Sequence, residues 1–342
     1  MAARADTLAI DSPALPAPNS TGVFAMSALC LALLAAFIAA WMPIAFSIAT
    51  VFLFAGPHNW MEFRYFMARM PARWGPLTPF FSLAIGGVFV LGAANIALSL
   101  VVRNAYWSEH QDRVASAGWL SLVVLWVAAL IYLRGREPSR PRNWQWAIPA
   151  GFALVSLIWL WPLQCYFALV YLHPMLALLF LDREIKNQRP QWRRAYHICL
   201  AAVPMLLAVL WWKLHDAPPL PGDDELALRI ARHAGSGLFT GVSSHLLVAA
   251  HTFLEMLHYG IWVVALPLLS FKTAPWKLNR IAVSRRSSFL RGGVLAAFLI
   301  GAAAVLVLWG GFLADYPATR DTYFMIAVLH VLAEFPFLLR LL

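Results

Sequence analysis

From Val23 to Phe54 the chain carries no charged residue, and apolar runs of the same kind recur until its end. A run of that length is too long for one crossing of a ~30 Å hydrocarbon core, where each helical span needs roughly 17–25 residues. Trp41-Met42-Pro43 offers the break, because proline cannot continue a helix through its own missing N–H. The pattern predicts helices near 23–41, 44–68, 77–102, 116–133, 146–162, 164–181, 196–212, 238–271, 292–313 and 322–340. The fifth and sixth meet at Trp161-Pro162-Leu163 with almost no loop. Composition agrees: 61% of residues are hydrophobic and 12% charged, against about 25% charged in a soluble domain. The expectation is an all-α integral membrane protein, a polytopic bundle of about ten transmembrane helices.

Two regions follow from this pattern. Residues 1–22 are polar and rich in alanine and proline, which predicts a disordered cytoplasmic tail. Residues 23–342 form a single transmembrane helical domain, and the first apolar run is kept as a span because it lacks a cleavage site.

The formal net charge of +10 is carried in short loops, the pattern of topology signals and contacts to membrane lipids, so nucleic acid is not an expected partner. Basic clusters follow the second span (Arg64, Arg69, Arg73), the fourth (Arg134, Arg136, Arg140, Arg142) and the sixth (Arg183, Lys186, Arg189, Arg193, Arg194). Another follows the eighth (Lys272, Lys277, Arg280, Arg285, Arg286, Arg291). The intervening loops are neutral or acidic, with Asp216, Asp223, Asp224 and Glu225 in one and Asp315 and Asp321 in another. This alternation predicts both termini in the cytoplasm and suits a bacterial inner membrane. In the longest outer loop, Asp223-Asp224-Glu225 starts a connector helix along Leu226, Leu228, Ile230 and Ala231. Cys30, Cys165 and Cys199 lie in apolar runs without CxxC spacing, so buried thiols are expected.

Against this apolar background the ionisable residues inside the spans are the informative ones, because charge in hydrocarbon is expensive and marks function. The eighth span carries His251, Glu255 and His258. Steps of four and three bring them within roughly 60° of one another on one helix face. The second span carries His58 and Glu62, the sixth His173, and the tenth His330 and Glu334. Counted inward from the predicted outer ends, His330, His173, His251 and His58 lie about 12, 14, 20 and 21 Å deep at ~1.5 Å per residue, one slab within boundary error. His251 and His258 are about 10.5 Å apart along the axis. Either two ions are present with Glu255 between them, or one of these residues stands behind the ligands. His173 beside Pro174 reads either as a ligand or as a structural hydrogen-bonder. His245 reads as an entrance residue or a support, and His110, His197, His215 and His233 as solvated residues of loops and helix ends. Trp60, Phe63, Tyr259 and Trp262 are candidates for lining a pocket.

Histidines with carboxylates suit iron, zinc, copper or manganese. The predicted metal ligands are His58, His251, His258, His330 and His173, with Glu255, Glu62 and Glu334 as catalytic, bridging or orienting groups. Non-haem iron is the leading cofactor, with haem b as a further option. The segment Gly56-Pro57-His58-Asn59, followed by Glu62, resembles the G-x-P-H-G-x-x-D segment of the Brp/Blh membrane β-carotene dioxygenase family. Asn59 stands at the family's glycine, Glu62 at its aspartate, and the leading glycine is one position closer. The resemblance is confined to Gly56–Glu62. It implies a multi-helix bundle that holds iron through histidines and cleaves a polyene, and it carries over His58 alone as an iron ligand. The resulting expectation is a metal-dependent oxygenase acting on a lipid-soluble small molecule, a carotenoid, other isoprenoid or acyl chain. The alternative from the same residues is a proton-coupled transporter or a haem-binding membrane protein.

Overall fold

The computed structural model describes residues 20–104, 108–137, 141–222, 224–270 and 278–342, and among these every regular element is helical. The first half holds α1 (Ser20–Trp41), α2 (Pro43–Arg69), α3 (Thr78–Asn104), α4 (Glu109–Gly135), α5 (Ala147–Leu160), α6 (Pro162–Leu172) and α7 (Pro174–Gln188). The second half holds α8 (Arg193–Leu214), α9 (Glu225–His233), α10 (Ser244–Gly260), α11 (Leu266–Ser270), α12 (Ser288–Ala314) and α13 (Tyr316–Leu341). Among the described residues nine helical segments are long and apolar enough to cross a membrane, α6–α7 and α10–α11 each counting as one. The predicted span at 146–162 is represented by the shorter α5. Of the expected tail, Ser20–Gly22 open α1 and residues 1–19 lie outside the described residues, as do Arg140, Asp223, Lys272 and Lys277.

Proline sets the breaks. Met42, Trp161 and Arg189 each precede a proline and share one conformation, φ/ψ of −134/65°, −138/64° and −144/59°. The proline ring crowds the α region of the residue before it, so the helix ends there and the proline opens the next one. The predicted junctions at Trp41-Met42-Pro43 and Trp161-Pro162 fall at two of these points. The eighth predicted span begins later than expected. Ser243 caps α10, its hydroxyl accepting from the His245 N–H, and residues 238–243 are not helical.

The outer surface is apolar, with Phe289 85%, Leu313 78% and Val307 74% exposed. A continuous face of this kind is at home against lipid rather than water. Inside, α10 packs on α1, α2, α7 and α8, while α13 packs on α2, α3, α4, α7 and α12. Close approach of α3 and α4 depends on Gly87, where an added Cβ would lie 1.9 Å from Trp126 Nε1. Trp126 Nε1 donates to the Leu83 carbonyl, and Trp119 Nε1 to that of Leu91, both at 2.9 Å. At another point α2 is tied to α7: Tyr65 donates its hydroxyl to buried Glu184 Oε1 at 2.6 Å, and Arg69 pairs with the same carboxylate.

The connector helix forms as expected. Asp224 caps α9 by accepting from the Leu226 N–H at 3.0 Å, and Ala227, Ile230 and Ala231 are buried on its inward face. Arg229 reaches from α9 to Asp321 on α13 at 2.8 Å. These contacts hold α9 across one end of α10 and α13, with His233 at its last residue.

Candidate metal centre

The first candidate group is assembled from four helices. His58 comes from α2, His173 from the α6–α7 junction, His258 from α10 and His330 from α13. Two of these positions sit beside prolines inside spans. Pro57 lacks the N–H that would bond the Leu53 carbonyl, and Pro174 likewise leaves the Val170 carbonyl without its helical donor. His173 keeps α-helical dihedrals (−58/−39°) even though it precedes Pro174, so the junction kinks rather than breaks.

Ring-centroid separations are 5.3 Å for His58–His258, 5.1 Å for His58–His330, 5.0 Å for His173–His258, 5.7 Å for His173–His330 and 6.1 Å for His258–His330. Two imidazoles bound to one ion at ~2.1 Å with a tetrahedral angle between them have centroids about 5.2 Å apart. The observed spacings scatter around that value. One ligating atom from each of His58, Glu62, His258 and His330 lies within 4.8 Å of all the others. His173 packs its ring on two members of that set from the remaining side.

Hydrogen bonding sharpens the picture. His58 Nδ1 lies 3.0 Å from the Phe54 carbonyl oxygen, which only accepts, so Nδ1 carries the proton and Nε2 presents a lone pair. A backbone carbonyl fixing the far nitrogen in this way is the usual support of a metal-bound histidine. His58 Nε2, both nitrogens of His258 and of His330, and both carboxylate oxygens of Glu62 have no hydrogen-bond partner among the described residues. His58, His258 and Glu62 are at most 1% exposed. Leaving several buried polar atoms unpaired costs about 1–3 kcal/mol each, and a bound cation would satisfy the set at one stroke.

Glu334 stands one turn beyond His330. Its Oε1 accepts from Trp262 Nε1 at 3.2 Å while Oε2 is unpaired. Trp262 belongs to the π-helical turn Ile261–Ala265 that follows the end of α10, three residues after His258. Such turns insert an extra residue per hydrogen-bonded loop and are frequent at functional sites. Here the turn places Trp262 in the core against Glu334.

The structure separates residues that the one-slab expectation placed together. His251 and Glu255 share the face of α10 with His258 but lie seven and three residues before it, about 10.5 and 4.5 Å along the axis. They form a second group with His233 of α9. His233 and His251 have ring centroids 5.2 Å apart, and His251 Nδ1 is 3.4 Å from Glu255 Oε2. The sequence reading placed His233 among solvated residues. Its signal was its place seven residues after Leu226, on the inward stripe of an amphipathic helix.

Other histidines have ordinary partners. His245 Nε2 donates to the Ala40 carbonyl at 2.8 Å and ties α10 to α1. His197 meets Asp182 at 2.8 Å, and exposed His215 meets Asp216 at 2.7 Å. Of the pocket candidates, Tyr259 lines a cavity and stacks on His58 at 4.2 Å. Trp60 instead donates to the Phe298 carbonyl at 3.1 Å, and Phe63 packs on the Phe298 ring, so both face α12.

A cavity of about 550 Å³ connects the two groups. It runs from Arg229, Arg232 and Asp321, past His233, His251 and Glu255, to His173, His258 and His330. Aromatic side chains, Tyr166, Phe167, Tyr259, Tyr323 and Phe324, line much of its wall. No protein-family model matches the chain, and neither a curated protein nor a solved structure matches it.

Proposed function

We propose that this chain is a membrane-embedded, metal-dependent oxidoreductase of the non-haem iron oxygenase class, acting on a lipid-soluble substrate such as a carotenoid, another isoprenoid or an acyl chain. The observation that carries the proposal is the set of unpaired, buried imidazole nitrogens on His58, His258 and His330 beside Glu62, at one end of an aromatic-lined cavity. His58, His258, His330 and His173 would hold the ion, with Glu62 as a further ligand or as the group that orients one. A histidine-rich set with a carboxylate suits iron, zinc, copper or manganese, and a redox-active ion would supply one-electron and oxygen chemistry to an apolar molecule.

The protein's own part is to position and to exclude. The cavity wall would seat the hydrophobic body of the substrate, and the fully buried surroundings of His58 and Glu62 would keep bulk water from the reacting atoms. Glu334, held by Trp262, would place a second carboxyl one turn from His330 on α13. Within this reading the expected location is the bacterial inner membrane, with both termini on the cytoplasmic side.

Two observations favour this over the transporter and haem readings. A proton relay passes along hydrogen bonds from one group to the next, whereas no hydrogen bond links His58, His258, His330 and Glu62 to one another among the described residues. A haem would need the plane between its two axial rings free for the porphyrin, but His58 and His173 each stand 5.0–5.7 Å from both His258 and His330 and crowd that pair.

The test is metal analysis of the detergent-purified protein with an optical spectrum, followed by oxygen uptake with polyene and acyl substrates. Wild type is expected to retain iron, and His58→Ala and His330→Ala to lose it. A protein that retains no transition metal, or the same content after both substitutions, would refute the proposal, and a Soret band would replace it with haem.

A further inference from the structure

We propose that His233, His251 and Glu255 form a second, separate mononuclear site for a divalent first-row metal ion, placed nearer the α9 end of the same cavity. The two groups are distinct sets: each gathers its own ligand atoms within 4.8 Å, and no residue belongs to both. His251 and His258, one from each set, are seven residues apart on α10, about 10.5 Å along the axis, which is far for two ligands of one ion. Each group therefore answers for its own ion, and this inference does not depend on what the deeper group holds.

The geometry of the three side chains fits one ion. Ligands at ~2.1 Å from a tetrahedral centre are about 3.4 Å from one another, and two such imidazoles have centroids about 5.2 Å apart. His251 Nδ1 lies 3.4 Å from Glu255 Oε2, and the His233 and His251 rings are 5.2 Å apart. One ligating atom from each of the three lies within 4.8 Å of the other two. A purely local explanation covers only part of this. His251 and Glu255 are one turn apart on α10 and would meet as an ordinary i,i+4 pair. His233 comes from a different helix, is delivered by the inward face of α9, and hydrogen-bonds to neither.

Two histidines and one carboxylate form a three-point set that leaves coordination positions open. All three line the cavity, so the open positions would face its interior. Arg320, 3% exposed, lines the same wall. With Glu255 as the only carboxylate in the group, an ion here would carry net positive charge beside that arginine. It would accordingly bind with an anionic co-ligand, hydroxide or the carboxylate of an amphiphile.

The experiment uses the full-length protein in detergent, stripped with chelator, reloaded with Zn²⁺, desalted and assayed for zinc per chain. His233→Gln and Glu255→Gln are each expected to bind one ion fewer than wild type. His330→Ala should lose the other ion and keep this one, which separates failure of this site from failure of the deeper one. Zinc content unchanged in both His233→Gln and Glu255→Gln overturns the proposal. A second measurement needs only wild type: modification of His233 by diethyl pyrocarbonate, read by mass spectrometry. Zn²⁺ should slow that modification at least several-fold, and equal labelling with and without Zn²⁺ overturns the proposal even where a variant misfolds.

Discussion

Replacing Glu62 by methionine separates a structural carboxyl from a metal-binding one, because the two roles give opposite signs. Glu62 is 1% exposed and neither of its oxygens has a partner among the described residues. In protein stripped of metal, a polar group buried without a hydrogen bond costs about 1–3 kcal/mol. Methionine has nearly the same volume and no such penalty, so stripped Glu62→Met should be more stable than stripped wild type by about that amount. Metal changes the comparison. At free metal 100-fold above Kd, wild type gains about 2.7 kcal/mol from binding. If losing the carboxylate weakens binding 100-fold, the variant gains only about 0.4 kcal/mol under the same conditions. The variant's advantage should therefore shrink by about 2 kcal/mol on loading, enough to cancel or invert it. The assay is thermal or denaturant unfolding in detergent, followed by the fluorescence of the 16 tryptophans, with chelator and with saturating metal. An advantage of the same size in both conditions would show that Glu62 does not sense the ion, and would remove it from the ligand set.

Two further substitutions probe the scaffold. Gly87→Ala would place a methyl group 1.9 Å from Trp126 Nε1, and that ring is fixed by donation to the Leu83 carbonyl. Overpacking should destabilise by about 1–3 kcal/mol and leave metal content unchanged, checked by unfolding and elemental analysis on the same sample. Trp262→Phe removes the donor to Glu334 Oε1 and leaves both carboxyl oxygens unpaired, at a cost of about 1–3 kcal/mol. Coincident unfolding curves for Trp262→Phe and wild type would show that the indole N–H contributes nothing there.

Much of the helical framework was readable in the chain itself. Long uncharged runs require helices in hydrocarbon, and X-Pro steps end them, so the junctions at Met42-Pro43 and Trp161-Pro162 followed from residue type. His58, His173 and His330 were also legible as a converging set, since each is an imidazole at similar depth in an otherwise apolar span. Less was visible at the α6–α7 junction and after His258. Neither the kink at His173-Pro174 nor the π-helical turn carrying Trp262 leaves a mark in hydrophobic periodicity. The start of α10 was placed at 238 instead of Ser244, because an apolar turn and an apolar helix have the same composition.

By itself, then, the sequence determined that this protein is a stack of apolar helices with histidines and glutamates held inside them. Only the tertiary structure decided that these residues form two groups rather than one. Spacing along α10 defines a common face for His251, Glu255 and His258, but a helix face is a line about 10 Å long over seven residues. Which neighbour meets each height of that line is a matter of packing: α2, α13 and the α6–α7 junction at His258, and α9 at His251.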